Sequence, residues 1–312
     1  MPMSIRMGTR SPFFSRYLLG LLITLMCRSA FAEPASAADL QKRFAVISHA
    51  AQGKVGVAIE LLETKESIQL NGQEHFPMQS VYKLPIAMAA LRQVDSGTLK
   101  FQQMVRVTTN DFVSAKQHSP LRDAHPRGAE VTVSNLLQLM VSESDGTACD
   151  VLLRVLNGPA SVEGYLRGVG ETNVVIATTE KEMGRDEQAQ YRNWATPEGM
   201  ADLLRGLHEG RSLSATSQKL LLKFLTESST GPHRIKGLLP PGTSVAHKTG
   251  SSRTIDGFTA ATNDAGIVTL PDGRHLAIAV FVSDSKADEA TREAVIAKIA
   301  RAAWDYFVEM SR

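Results

Sequence analysis

Ser80 and Lys83 are the residues of this chain whose types and spacing most directly suggest chemistry. They stand at the start of a predicted helix, where a separation of three residues puts a hydroxyl and an amine on the same helical face. The backbone N–H groups exposed at a helix N-terminus can in addition bind a developing oxyanion. The pair therefore predicts a serine nucleophile for acyl transfer, with a lysine placed to handle its proton.

A Ser-x-x-Lys motif alone is weak evidence, because this chain contains a second copy. Ser283 and Lys286 repeat the motif at the end of a predicted strand, where no other residue pattern supports chemistry. An isolated copy at a helix start is usually an ordinary surface feature. Further motifs must therefore decide whether Ser80 is a nucleophile.

Two further motifs follow along the chain. Ser144-Asp145-Gly146 interrupts a helical region and places a hydroxyl where helices meet a loop, although Ser and Asp are also typical of ordinary capping turns. Lys248-Thr249-Gly250 lies in a predicted strand, where these residue types would let a substrate lie along the strand edge. A lysine there is also typical of edge strands that avoid aggregation. The ordered set, with spacings of 64 and 104 residues between Ser80, Ser144 and Lys248, is far more specific than its parts.

In this order the three motifs resemble the signature of the class A serine β-lactamases, and the resemblance covers essentially the whole chain after residue 32. It implies that Ser80 is the nucleophile, that Lys83 and Ser144 transfer protons, and that Lys248 assists Ser144. The activity expected from it is hydrolysis of the amide bond of penicillins and cephalosporins through an acyl-enzyme, which confers antibiotic resistance.

The stretch from Thr179 to Trp194 is similar to the omega loop of the PER/VEB/CfxA-like branch of that family. The resemblance implies that Glu180 activates the deacylating water, with Glu182 as the alternative. Whether Lys83 or Glu180 is the base in acylation stays open, because both assignments exist for the family.

Two glycines depart from the family pattern. Gly146 stands where the family usually has an asparagine that contacts the substrate and helps to hold the active-site lysine. Gly184 stands four residues after Glu180, where many class A enzymes also have an asparagine. The first departure removes both of these asparagine contacts, and the second implies that the deacylating water is held differently.

The carboxylate of a β-lactam requires cations and hydroxyls for its recognition. The resemblance implies that Thr249, Gly250, Ser251 and Arg234 bind the substrate, beside the cationic Lys248. A guanidinium can bind a carboxylate with two parallel hydrogen bonds, which suits Arg234 to this role. The backbone N–H groups of Ser80 and Ser251 are expected to bind the oxyanion.

Strand patterns at both ends of the chain and helical patterns in the middle predict the architecture that positions these residues. Alternating apolar residues predict a hairpin over Lys54–Leu62 and Ser67–Leu70, and strands return from Ser244 onward. We expect an α/β (α+β) fold like that of serine β-lactamases and DD-peptidases, with an antiparallel sheet built from both chain ends and flanked by helices. Residues 33–312 form one catalytic domain, in which an all-α lobe at about 76–224 is inserted into an α/β lobe at about 33–75 and 225–312.

The N-terminus reads as a signal peptide. Residues 1–32 carry four arginines and no acidic residue, an apolar stretch too short to span a bilayer, and the small-residue pattern Ala30-Phe31-Ala32. We therefore expect cleavage near Ala32 and a periplasmic protein with no membrane association after processing. The full chain has 34 basic and 32 acidic residues, and removal of the leader leaves 30 basic residues against 32 acidic ones.

Composition excludes several other classes. The charge balance shows no basic excess of the kind that binds nucleic acid, and Cys149 alone remains after processing, so no internal disulfide can form. Cys149 lies in an apolar helical pattern typical of a core residue. The eight histidines show no metal-ligand spacing, so neither a metal site nor a cofactor is predicted, and we expect a monomer.

Two alternatives share part of this pattern. A penicillin-binding DD-peptidase uses the same serine and lysine logic but lacks a glutamate loop dedicated to deacylation. A β-lactam sensor is acylated without turnover, but it normally has a membrane segment or a signalling domain, and no such region is evident in the sequence.

Overall fold

The computed structural model describes residues 36–310, so the predicted signal peptide lies outside the described residues. The helices are α1 Ala37–Ser48, α2 Lys83–Asp95, α3 Pro120–Ala124, α4 Val133–Ser142, α5 Gly146–Val155, α6 Pro159–Gly168, α7 Glu180–Arg185, α8 Pro197–His208, α9 Ala215–Thr226 and α10 Glu289–Glu309. The strands are β1 Lys54–Leu61, β2 Glu66–Leu70, β3 Phe76–Pro77, β4 Met104–Val107, β5 Ala129–Thr132, β6 Val174–Val175, β7 Trp194–Ala195, β8 Val245–Ser251, β9 Thr254–Ile255, β10 Phe258–Thr269 and β11 His275–Ser285.

One antiparallel sheet joins the two ends of the described chain. Its strand order is β2-β1-β11-β10-β8, with the short β9 paired to β10. The N-terminal strand β1 pairs with the C-terminal strand β11 over eight residues, from Lys54 opposite Ser283 to Leu61 opposite Leu276. This confirms the predicted fold class, in which both chain ends build the sheet.

The sheet is buried on both faces, because alternate residues of its strands point to two different cores. In β11, Ala277, Ala279 and Phe281 pack into the core shared with the helices of the middle segment. The intervening Ile278 and Val280 pack against α1 and α10 on the other face. This explains why β11 is an almost continuous apolar run instead of an alternating one.

The middle segment, predicted to be all-helical over about residues 76–224, is predominantly helical but also contains the short strands β3 to β7. Strand β4 pairs with β5, and β7 pairs with both β3 and β6. These ladders are two to four residues long and were not predicted, because runs this short have no readable periodicity.

Helix α2 is the centre of the middle segment. Its residues from Lys83 to Leu91 are all buried. Cys149 on α5 is also fully buried and donates a hydrogen bond from Sγ to Tyr82 Oη at 3.1 Å, which confirms it as a core residue. Among the described residues, no helix is both long and apolar enough to cross a membrane.

Candidate active site

The nucleophile candidate lies in a tight turn, not in the first turn of an α-helix. Gln79–Tyr82 form a 3₁₀ turn, and α2 begins at Lys83. Lys83 Nζ donates a hydrogen bond to Ser80 Oγ at 3.0 Å and another to the Ser144 carbonyl oxygen at 2.7 Å. The three-residue spacing thus brings the hydroxyl and the amine together as predicted.

Glu180 completes the surroundings of Lys83. Its Oε1 atom lies 2.8 Å from Lys83 Nζ, and the lysine side chain is only 1% exposed. Burial alone would lower the pKa of Lys83, but the negative charge of Glu180, together with smaller contributions, outweighs it and raises the pKa above its ordinary value. Lys83 is therefore an ammonium ion at neutral pH.

The backbone around Glu180 is fixed from two directions. Asp150 on α5 accepts hydrogen bonds from the N–H groups of Glu180 and Lys181 at 2.8 and 2.9 Å. Thr179 caps α7, and Glu182 closes the capping box by accepting a hydrogen bond from Thr179 N at 3.0 Å. Glu182, the alternative to Glu180, therefore serves to cap this helix, while Glu180 contacts Lys83.

Asp150 is a site residue that the sequence analysis missed. Burial, followed by the charge of Glu180, raises the pKa of its carboxyl to about 7. The available signal was a lone acidic residue four positions after Gly146 in an otherwise apolar helix. That signal did not identify its partner, which lies thirty residues further along the chain.

Ser144 lies between α4 and α5 and faces both lysines. Its backbone has a φ of 60°, in the left-handed region that non-glycine residues rarely adopt. Lys248 Nζ donates to Ser144 Oγ at 2.9 Å. Burial, followed by repulsion from Lys83, lowers the pKa of Lys248 well below its ordinary value.

Asp145 and Gly146 follow Ser144 in its motif, and both make structural contacts. Asp145 is fully buried and accepts hydrogen bonds from Ala148 N, Leu121 N and Ser119 Oγ, so it caps α5 and holds the preceding loop. Gly146 is the first residue of α5, and its N–H donates to the His118 carbonyl at 3.0 Å.

The predicted carboxylate-binding residues lie together at the end of β8. Thr249 Oγ1 is 2.5 Å from Thr230 Oγ1, and Ser251 is exposed. Arg234 is 4% exposed and donates from its guanidinium to Ser251 Oγ at 2.7 Å.

The guanidinium of Arg234 also has partners away from the cleft. It donates to the carbonyl oxygens of Gly250 and Asn263 at 3.1 and 2.9 Å, and it pairs with Glu293 at 3.0 Å. Arg234 therefore supports β8 and the Ser251 hydroxyl from behind.

Gly250 faces the nucleophile turn. A Cβ atom on Gly250 would lie 2.3 Å from the Met78 carbonyl oxygen and 3.1 Å from Ser80 N. The missing side chain thus allows β8 to pack directly against the backbone that carries Ser80.

A cleft of about 580 Å³ brings these groups together, and its lining includes Ser80, Lys83, Ser144, Glu180 and Ser251. A larger cavity, of about 710 Å³, lies beside the C-terminal half of α2, near Tyr165 and Ser214. We place the active site in the smaller cleft, because it contains the hydrogen-bonded serine–lysine pair that acyl transfer requires.

A different group of residues has the donor types of a metal site. The carboxylate of Glu63 and the rings of His208 and His275 have donor atoms within 4.8 Å of one another. His275 already donates to Glu63 from N at 3.0 Å, and its Nδ1 lies 2.9 Å from that carboxylate. This half-exposed group lies at the end of the β1–β2 hairpin and contributes nothing to the cleft.

Residues 38–307 match the model of the beta-lactamase enzyme family. The chain is 42% identical to the extended-spectrum beta-lactamase PER-1 of Pseudomonas aeruginosa over 280 residues, 89% of this chain and 90% of the relative. It is 38% identical to beta-lactamase VEB-1 of the same organism over 293 residues, 93% of this chain and 96% of the relative.

A solved structure shows the same architecture. The crystal structure of a beta-lactamase from Chitinophaga pinensis DSM 2588 is similar with a TM-score of 0.84 and 47% sequence identity, covering 86% of this chain and 98% of that one. Fold and sequence therefore point to the same group of proteins.

Proposed function

The chain belongs to the beta-lactamase enzyme family, as a class A serine enzyme, and on this premise we propose that Ser80 is its nucleophile. The enzyme is a hydrolase that opens the amide bond of β-lactams and thereby confers antibiotic resistance. The observation that carries the assignment is the position of Lys83 Nζ, which contacts Ser80 Oγ, the Ser144 carbonyl and Glu180 Oε1 at once.

In the acylation step, Ser80 Oγ attacks the lactam carbonyl carbon, and the carbon–nitrogen bond of the ring breaks. Because Lys83 is already protonated, Glu180 accepts the Ser80 proton through a bridging water, and the Lys83 ammonium stabilises the developing charge. Ser144, held by its hydrogen bond from Lys248, donates a proton to the departing nitrogen. The proton taken up by Glu180 then returns to Ser144 by way of Lys83, which leaves Glu180 ionised for the next step.

In the deacylation step, a water molecule attacks the acyl carbon and forms the new carbon–oxygen bond. Glu180 accepts the proton that this water loses, and the bond between the acyl carbon and Ser80 Oγ breaks. The proton then passes from Glu180 to Ser80 Oγ, which restores the free enzyme. The contact of Glu180 with Lys83 and its position in the cleft support this role.

Recognition of the substrate carboxylate falls to the end of β8. The hydroxyls of Thr249 and Ser251 would bind it, with the guanidinium charge of Arg234 behind Ser251. Burial lowers the pKa of Lys248 in the free enzyme, and an anion bound next to it would raise that pKa and favour its ammonium form. Gly250 contributes by letting β8 approach the Ser80 turn.

The sequence patterns support proposals about the location, oligomeric state and substrates of the enzyme. We propose that residues 1–32 are a signal peptide, that the mature protein acts in the periplasm as a monomer, and that penicillins and cephalosporins are its substrates. We further propose that residues 33–312 form one catalytic domain with its cleft between the sheet and the predominantly helical segment.

The proposal is tested by mixing residues 33–312 with a chromogenic cephalosporin and following both hydrolysis and protein mass. We expect many turnovers that disappear in Ser80→Ala, because no nucleophile remains. Ser283→Ala is the matched control, since it removes the serine of the other Ser-x-x-Lys motif, and it should keep the wild-type rate. In Glu180→Gln, deacylation should fall by about 10²- to 10⁴-fold and the acyl-enzyme should accumulate.

Two results would contradict the proposal. Full turnover in Ser80→Ala would remove Ser80 from the mechanism. One equivalent of stable adduct without turnover in the wild-type protein would instead indicate a penicillin-binding peptidase or a sensor.

A further inference from the structure

Gln117 contacts the residue on which deacylation depends. Its Nε2 donates a hydrogen bond to the Glu180 carbonyl oxygen at 2.6 Å and lies 3.5 Å from Glu180 Oε2. Its Oε1 accepts hydrogen bonds from Ser114 N and Ser114 Oγ at 3.2 and 3.0 Å. The amide of Gln117 therefore ties Glu180 to the loop that precedes α3.

The amide of Gln117 fills the space that a side chain at position 184 would occupy. A Cβ atom built on Gly184 would lie 2.2 Å from Gln117 Oε1 and 2.7 Å from its Cδ. These distances are far below van der Waals contact, so a side chain at 184 and the Gln117 amide cannot occupy this volume together.

Gly184 is not a glycine for reasons of backbone conformation. It lies inside α7, and its φ is not among the positive values found at other glycines of the chain. A glycine within a helix is intrinsically unfavourable compared with every other residue except proline. The open space beside it explains its presence, because that space admits Gln117.

We propose that Gln117 is a positioning residue for deacylation, which holds Glu180 in place from the position that a side chain at 184 would otherwise take. This inference rests on the proposed role of Glu180 as the base that activates water. Gln117 acts through Glu180: its amide fixes the backbone of Glu180 and stands next to the second carboxylate oxygen, while Lys83 holds the first. Both Gln117 and Gly184 line the cleft.

The test uses single and double variants of residues 33–312 with a chromogenic cephalosporin, measured as separate acylation and deacylation rates. In Gln117→Ala, we expect deacylation to slow by about 10- to 100-fold, because small misplacement of a reacting group has effects of this size. Acylation should change much less, so kcat and KM should fall together and the acyl-enzyme should accumulate in mass spectra of quenched reactions.

The double variant separates positioning from general damage. Gly184→Asn alone should slow deacylation, because its side chain collides with Gln117. Gln117→Ala combined with Gly184→Asn removes the collision and returns an amide to the same volume, so deacylation should recover at least tenfold relative to the slower single variant. Gln188→Ala, which changes an exposed glutamine nearby, is the matched control and should behave like the wild-type enzyme.

Two outcomes would overturn the inference: wild-type deacylation in Gln117→Ala, or a folded double variant that is no faster than the slower single variant. Thermal unfolding of every variant identifies the folded ones, and Gln117→Ala alone decides the question if Gly184→Asn does not fold. Glu180→Gln is measured alongside. If it fails to trap the acyl-enzyme, the proposed function of Glu180 is wrong, whereas a trapped acyl-enzyme with normal Gln117→Ala deacylation would remove only Gln117.

Discussion

Lys83 and Lys248 flank the same serine from opposite sides of the cleft, and both are almost completely buried. On the helical side, the Glu180 carboxylate raises the pKa of Lys83 in spite of burial. On the strand side, burial and the charge of Lys83 lower the pKa of Lys248, and its nearest polar side-chain partner is the neutral Ser144 hydroxyl. Two lysines of similar burial therefore have pKa values shifted in opposite directions, because only Lys83 has a carboxylate in contact.

This difference divides the work of the cleft. The Lys83 ammonium stabilises negative charge and orients Ser80, whereas Lys248 holds the Ser144 hydroxyl through its hydrogen bond. The helical side of the cleft is consequently defined by electrostatics. The strand side is defined by close packing, since β8 approaches the Ser80 turn only because Gly250 has no side chain.

Replacing each lysine by methionine should have the largest effect on stability and activity, and the two replacements should differ. Lys83→Met leaves Glu180 buried without its cation, so we expect a loss of about 3–5 kcal/mol in the free energy of unfolding, with an acylation rate reduced by about 10²- to 10⁴-fold. Lys248→Met removes a side chain whose charged form is disfavoured by burial, so the free energy of unfolding should stay constant or rise. KM should rise by about ten- to a hundredfold.

The two methionine variants are checked by urea unfolding at pH 7 and by pre-steady-state kinetics with a chromogenic cephalosporin. Glu180→Gln together with Lys83→Met is the control, because the double variant no longer contains an unpaired buried carboxylate and should recover part of the lost stability. Equal destabilisation by both single substitutions would contradict the opposite pKa shifts of the two lysines.

How far the sequence predicts this site depends on the range of the contacts. Ser80 and Lys83 are three residues apart, so helical geometry alone brings them together, and the ordered motifs supplied Ser144 and Lys248. The turn at Ser80 was predicted as the start of an α-helix, but it is a 3₁₀ turn, since β8 packs directly against its backbone. That packing is a tertiary effect that a local pattern does not contain.

Contacts between distant polar residues were not predictable in the same way. Asp150 and Gln117 reach Glu180 from 30 and 63 residues away, and each appears in the sequence as an ordinary polar residue. Arg234 was predicted from the family resemblance to bind the substrate carboxylate. Its bonds to Gly250, Asn263 and Glu293 were not predicted, because they depend on strands and a helix that a single sequence does not align.

Adding a methyl group to Gly250 tests the close packing of β8 against the Ser80 turn. In Gly250→Ala the new atom meets the Met78 carbonyl, which belongs to the backbone and cannot rotate away. We expect a loss of about 1–3 kcal/mol in the free energy of unfolding, with reduced acylation because the Ser80 turn shifts.

Gly164→Ala is the matched control for this substitution. Gly164 lies within α6, and an added Cβ would find no atom within 4 Å, so the alanine should raise stability by about 0.5–1 kcal/mol. Denaturant unfolding of both variants gives the comparison. If Gly250→Ala were as stable as the wild type, β8 would not need its close approach to the nucleophile turn.

Asp150→Asn tests the electrostatics of the helical side of the cleft through its dependence on pH. The folded-state pKa of Asp150 is raised from its ordinary 3.8 to about 7, first by burial and then by the charge of Glu180. Between about pH 4 and 7 the folded protein therefore holds this proton more tightly than the unfolded chain does. The contribution of Asp150 to stability is greatest below this window and declines as the pH rises through it.

Asparagine has no proton to lose in this range, so the unfolding free energy of the wild type minus that of Asp150→Asn should fall from pH 4.5 to pH 8. We expect a decline of about 1–3 kcal/mol, measured by urea unfolding at constant ionic strength. Asp272→Asn is the control of opposite sign, because backbone and side-chain hydrogen bonds from Arg274 lower the pKa of Asp272 in the folded protein. Its difference from the wild type should rise with pH only below about pH 4, where this carboxyl titrates, and should stay constant from pH 4.5 to pH 8. If the difference in unfolding free energy between the wild type and Asp150→Asn did not change with pH, the carboxyl of Asp150 would ionise in its ordinary range. Lys83 would then neutralise the charge of Glu180 so completely that this charge would not raise the pKa of Asp150.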